Sequence, residues 1–287
     1  MKFGVREICD VVLRAKGTQT IGNKKFFKDE PVCYFDSLKT STLESAVTTV
    51  YAQGGRGNSR LIAWDGEKTV TFTMEDALIS PISFAILSGA DVIDAAEAGI
   101  RVHATEIVDG SKLKEGKTLP INGTPADNEI YVFAMKDGEI EGEPYLCKKG
   151  TGANEITLVT DTDYKTTAIE EAEAYLVDYY VTKTSGKQIE ITADKFGGNY
   201  YLEASTLFRN QNGEDLPAEF IIPNCKVQSN FTFSMAASGD PSTFTFTMDA
   251  FPDYVKGNNE KKVLCAVQII EEEEGEDAGK RTATPQA

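Results

Sequence analysis

Few residue groups in this 287-residue chain combine the types and spacing that chemistry requires. Gly55-Arg-Gly57 supplies two glycines of a dinucleotide-binding turn. Arg60 stands where the third glycine belongs, and a strand pattern follows where that turn needs a helix N-terminus. The segment therefore reads as a hairpin loop. Gly116-Lys-Thr118 ends like a phosphate-binding loop, but Ser111 holds the leading glycine position and no helix pattern follows. Asp161-Thr-Asp163 opens like a calcium loop, yet Lys165 occupies a ligand position and Thr166 the glycine position. His103 is the single histidine and sits within a strand pattern, with no readable nucleophile–base–acid set around it. The cysteines, Cys9, Cys33, Cys147, Cys225 and Cys265, are odd in number and form no CxxC pair, which argues against a zinc site and a disulfide framework. The carboxylates are too many and too scattered to nominate an acid/base pair. No catalytic residue, metal or cofactor is assigned, and the pattern of absences points to a structural protein.

Charge narrows the partners. At −16 and a pI near 4.6, the surface repels nucleic acid, so phosphate binding by the whole molecule is disfavoured. Lys2, Arg6, Arg14, Lys16, Lys24, Lys25, Lys28 and Lys39 make the start basic, whereas Glu271 to Glu274, Glu276 and Asp277 make the end acidic. These ends read as solvated, or as attracting neighbouring copies head to tail. The N-terminus lacks an apolar leader core, and no 18-residue apolar run occurs, which predicts a soluble protein folding in a reducing cytosol.

The elements available to position any site are mostly strands. Phe231, Phe233 and Met235 alternate with small polar residues, as do Phe244, Phe246 and Met248. With the turn-rich Ala236–Thr243 link between them, they read as a β-hairpin whose Phe/Met face is buried. Thr69–Ala77 (TVTFTMEDA) echoes Thr243–Ala250 (TFTFTMDA) about 175 residues away, suggesting one sheet system built from both ends of the chain. Further strands are expected at Pro31–Asp36, Ser45–Gln53, Arg60–Trp64 and Lys68–Met74, with Leu38–Leu43 irregular and Asp65-Gly66 a tight turn. Ser80 as N-cap, Pro81 in the first turn and Gly89 as the stop predict a helix ending near Leu87. Strands resume at Arg101–Val108, Glu129–Met135, Glu143–Cys147, Asn154–Thr160 and Ala174–Thr182. The last third predicts Gln188–Thr192, Tyr200–Arg209, Ala218–Ile222, Lys226–Met235 and Val263–Ile270. The expected organisation is a discontinuous core, 1–108 and 164–270, with an inserted β-rich segment at 109–163 and an acidic, disordered tail at 271–287.

The order of several segments resembles the major tail tube proteins of tailed bacteriophages. Tyr51-Ala-Gln-Gly-Gly-Arg-Gly-Asn58 leads into Arg60-Leu-Ile-Ala-Trp-Asp-Gly66, Thr69–Leu78 and Ser80–Ala90. Downstream follow Ile189–Asp194, Phe208-Arg-Asn210, Phe220-Ile-Ile-Pro223 and Ser238–Phe244. The likeness covers roughly residues 30–100 and 185–270.

The resemblance implies a mainly β fold, a β-sandwich or barrel-like tail tube core with one flanking helix. Type VI secretion tubes and contractile bacteriocins share it. It also implies six-subunit rings that stack into the virion tail tube, assembled in the host bacterial cytoplasm. Partners would be the protein itself, a tape-measure protein and, in a contractile tail, a sheath protein. DNA would pass without sequence-specific binding, and no membrane insertion is expected. By the same likeness Tyr51, Gly54, Gly55, Arg56, Gly57, Asn58, Arg60 and Trp64 would reach an adjacent subunit or ring. The helix would sit outside the barrel, and 109–163 would project outward or toward a neighbour. Head decoration and tail terminator proteins, and a carbohydrate-binding adhesin-like β module, are the alternatives.

Overall fold

The computed structural model describes residues 2–114, 117–128, 130–158, 172–232, 237–238 and 242–270. In chain order the elements are β1 (Phe3–Val5), β2 (Asp10–Ala15), β3 (Gln19–Ile21), β4 (Lys24–Phe26), β5 (Pro31–Phe35), β6 (Leu38–Gly54), β7 (Ser59–Asp76), helix α1 (Pro81–Ser88), β8 (Asp91–Asp94), the one-turn helix α2 (Ala95–Ala98) and β9 (Ile100–Asp109). Then come β10 (Thr118–Pro120), β11 (Ile130–Lys136), β12 (Glu139–Lys149), β13 (Glu155–Thr157), β14 (Ala174–Lys183), β15 (Lys187–Glu190), β16 (Asn199–Asn210), β17 (Asp215–Val227), β18 (Phe244–Ala250), β19 (Asp253–Val255), β20 (Asn258–Val263) and β21 (Ala266–Ile269). The fold is mainly β, as the resemblance implied. The chain divides into two compact units: Met1–Val92 with Ile189–Ala287, and Ile93–Gln188.

The first unit is built on a sheet ordered β5-β2-β16-β17-β18-β7-β6, with β1 also on β16 and β21 also on β17. The two similar segments seen in the sequence are hydrogen-bonded neighbours in this sheet. β18 runs antiparallel to β7 with Phe246 opposite Met74 and Met248 opposite Phe72. Like residues therefore fall on one face, and all four are buried, at 0–1% exposure. Strand alternation leaves Thr71, Thr73 and Thr247 on the opposite face, beside Thr42 of β6.

α1 closes the inner face. Ser80 accepts a hydrogen bond from the Ser83 amide and Ser83 caps back, Pro81 occupies the first turn, and Gly89 ends the helix in a left-handed conformation. Ala85, Ile86 and Leu87 pack with Phe72, Phe246 and Leu202 in one core.

Three local readings are corrected. Leu38–Leu43 is not irregular: it begins β6, pairing with β7 from Leu38 opposite Asp76. Thr40 and Thr42 lie on the uncovered face, and polar Ser41 stands on the covered face opposite Met74, which hides the alternation. Asp65-Gly66 is not a turn but part of a bulge within β7. Val47 pairs with Lys68 and Thr49 with Asp65, so Gly66 and Glu67 share Thr48 as their counterpart. A Cβ on Gly66 would lie 2.6 Å from Thr48 Oγ1, and that Oγ1 accepts a hydrogen bond from the Glu67 amide at 2.8 Å. Finally, the strand expected at Lys226–Met235 stops at Val227 as the end of β17, which contacts β18 through only Cys225–Val227. Phe231 instead meets Phe84 of α1 edge to face, 5.1 Å between ring centroids. Phe233, Met235 and half of the Ala236–Thr243 link lie outside the described residues, as do Asp161–Asp163 and the acidic 271–287 tail.

The second unit holds a sheet ordered β10-β13-β12-β11-β14-β9. It is wider than the 109–163 segment because β9 and β14 pair along their full lengths, Ile100 with Lys183 through Asp109 with Ala174. Both flanking strands were expected from their patterning, at Arg101–Val108 and Ala174–Thr182, but as parts of the core, because composition marks only the weakly patterned middle. Tyr175, Val177, Tyr179 and Val181 alternate into its core with Ile130 and Val132. The Tyr179 hydroxyl donates to Glu106 Oε1 at 2.7 Å and accepts from the Gly123 amide at 3.0 Å.

Candidate subunit interface

The reactive groups do not converge. His103 Nε2 lies 2.8 Å from Asp178 Oδ1 on a solvent-facing strand pair, and no nucleophile among the described residues completes a set. Burial pushes Cys147 and Cys225 up to about 12 and Cys33 and Cys265 to about 11, so none is poised as a thiolate. Among the described residues no cluster of three His, Cys, Asp or Glu could hold a metal ion.

The unusual surface is the outer half of the β6–β7 hairpin, which we call the arm. From Glu44 to Thr69 every residue is exposed except Ala52 and Gly54, which are half-buried. The ladder nevertheless continues from Ser45 opposite Val70 to Gly54 opposite Ser59. The turn is made by Gly55, Gly57 and Asn58, all at positive φ, from 49° to 89°. The Asn58 amide donates to the Gly55 carbonyl at 3.2 Å. Glycine adopts such angles without the Cβ clash that other residues suffer, and asparagine tolerates them.

The arm is apolar on a scale that water does not reward. By register Val50 faces Trp64 and Ala52 faces Ile62, putting these four side chains on one face. A second bulge, between Ala52 and Gln53, adds Leu61 beside Gly54. Val50, Leu61, Ile62 and Trp64 are each 53–65% exposed. On the other face the Arg60 guanidinium lies 4.0 Å from the centre of the Tyr51 ring. An isolated two-stranded ribbon is marginal in water, and a contiguous exposed apolar patch marks an interaction surface.

All eight interface candidates fall on this one arm. Tyr51, Arg60 and Trp64 lie on its strands, and Gly54, Gly55, Arg56, Gly57 and Asn58 at its tip. Sequence reasoning passed over Val50, Leu61 and Ile62. The available signal was Arg60-Leu-Ile-Ala-Trp64, an apolar run without alternation in a strand that no core covers.

The edges of the sheet are also open. β5 pairs only with β2, and β6 only with β7, among the described residues. No helix among them is long and apolar enough to cross a membrane.

The model of the YomU/Tube protein family matches residues 18–263. A relative described as the tail tube protein of Bacillus phage SPR is 22% identical over 240 residues, covering 82% of this chain and 79% of its own. With most of its length matched by that family model, the chain belongs to the YomU/Tube protein family.

Proposed function

We propose that copies of this tail tube protein close into six-subunit rings and that the rings stack into the phage tail tube. The observation that carries the reading is the arm: a hydrogen-bonded ribbon with large apolar side chains that its own chain leaves in water. A second copy is the natural cover, because open sheet edges and uncovered apolar faces both favour association. The edges formed by β5 and β6 would meet between neighbours, continuing the sheet around the ring. Ring closure hides those edges, while head-to-tail contacts along the axis remain open-ended and give a filament.

The polar face of the sheet supports a lumen. Thr42, Thr73 and Thr247 form one row across three strands, with Glu44, Thr71 and Asp249 in the next. Lys226 extends the second row opposite Asp249, so hydroxyls and carboxylates outnumber the one cation of these two rows, and DNA would meet little to hold its phosphates as it slides. On this reading Tyr51, Gly54–Asn58, Arg60 and Trp64 are contact residues, and the role is structural rather than catalytic. A tape-measure protein would fill the tube before DNA, and a sheath would surround it in a contractile tail.

Replacing Ala46–Thr69 with Asn-Gly tests this. Ser45 and Val70 are already paired, so the shortened hairpin can close. The expected product is a folded chain that forms no tubes under electron microscopy. Normal tubes from that variant would overturn the reading.

A further inference from the structure

The arm and one groove of the first unit carry opposite surface chemistry. Between Ser45 and Trp64 the arm has Arg56 and Arg60 and not one carboxylate, in a chain of net charge −16. Arg60 rests on Tyr51, and no ion pair to Arg56 or Arg60 forms among the described residues. Over the β16–β17 pair, between the β1–β2 link and the end of β21, lies an open groove of about 590 Å³. Its apolar floor includes Ile8, Leu207 and Ile270, which are 43–51% exposed. Among the described residues its charged lining residues are Glu7, Asp10 and Glu219, all acidic. The sequence then continues from Ile270 directly into Glu271–Glu274.

We infer that this groove is the receptor for the arm of a second copy, an assignment that rests on the tube reading above. The arm enters the groove tip first, its apolar face toward Ile8, Leu207 and Ile270, with Arg56 at the tip and Arg60 on the opposite face turned toward the carboxylates of Glu7, Asp10 and Glu219. An arginine fork pairs with carboxylates through two parallel hydrogen bonds, so the contact sets register as well as adding attraction. Complementary charge also steers like molecules into one docking mode rather than random apolar aggregation. The environment of Glu219 agrees with this. Burial and then the neighbouring Glu203 raise its pKa, against a smaller lowering by Arg14, so a further cation would favour its charged form.

Charge reversal tests the pairing. Arg56→Glu with Arg60→Glu, and separately Asp10→Lys with Glu219→Lys, are each expected to cut the sedimentable tube fraction at least about tenfold. The chain carrying all four changes is expected to recover tubes. Asn58→Cys with Ser205→Cys in one otherwise native chain gives an independent readout, with disulfide-linked dimers and higher multimers expected under assembly conditions. Wild-type tubes combined with no charge rescue and no intermolecular cross-link would overturn the groove assignment while leaving the tube reading intact. Absence of tubes from the wild-type chain would overturn both.

Discussion

Replacing Trp64 with alanine separates folding from association. The indole is 53% exposed and faces Val50 across the β6–β7 ladder. A tryptophan can bury up to about 250 Å², so about 130 Å² remains to be covered by a neighbour. At about 25 cal/mol per Å², that area corresponds to about 3 kcal/mol at each subunit contact. Since about 1.4 kcal/mol is a tenfold change in an equilibrium constant, the concentration at which tubes appear should rise about a hundredfold. Folding should change by less than about 1 kcal/mol, because the arm contributes to neither core. Tube yield by sedimentation across a concentration series, beside a urea melt followed by circular dichroism, reads both quantities. Assembly of Trp64→Ala at the wild-type concentration would refute the arm's role. A folding loss as large as the assembly loss would place the indole in the core instead.

The core gives the opposite pattern. Phe246 is fully buried against Phe35, 5.1 Å between ring centroids, so Phe246→Ala should cost about 3–5 kcal/mol of folding stability. A urea melt showing less than about 1 kcal/mol would contradict the assigned core. Cys147 and Cys225 are fully buried and their thiols are pushed up to about 12. They should resist thiol reagents in native protein near pH 7 and react after denaturation, whereas fast native labelling would contradict their burial. Asp253 Oδ2 lies 2.9 Å from Lys16 Nζ, and that hydrogen bond is the main cause lowering its pKa. A depressed folded pKa gives stability that is present above the ordinary aspartate range and lost as pH falls through the folded value. The melting-temperature gap between wild type and Asp253→Asn should therefore hold from about pH 8 to 6 and close below about pH 4. A gap unchanged in acid would contradict the ion pair.

Local chemistry made some elements legible. Ser80, Pro81 and Gly89 marked the ends of α1 because capping and the proline φ act within a few residues. The Phe/Met alternation told which face was buried, and the repeated TFTM pattern told that both chain ends build one sheet. Pairing partners were less readable, because a strand pattern does not name its neighbour. Phe244–Ala250 suited the segment before it, yet β7 supplies the longer partner. Pro223 suggested a strand end, but it lies where β17 bulges against β16, a place where the missing amide costs no ladder bond. Asp65-Gly66 had the composition of a turn and serves as a bulge. At the interface, the Gly54–Asn58 turn was evident from its glycines, whereas the exposure of Val50, Leu61 and Ile62 was not. Apolar strand residues look alike in sequence whether a core or another molecule covers them.

Assembly itself is the claim on which the rest depends. Negative-stain electron microscopy of the purified wild-type chain over rising concentration tests it most directly. The expected result is hollow tubes of uniform diameter with a regular axial ring repeat. A field of separate particles at every concentration, with no rings or tubes, would contradict the account.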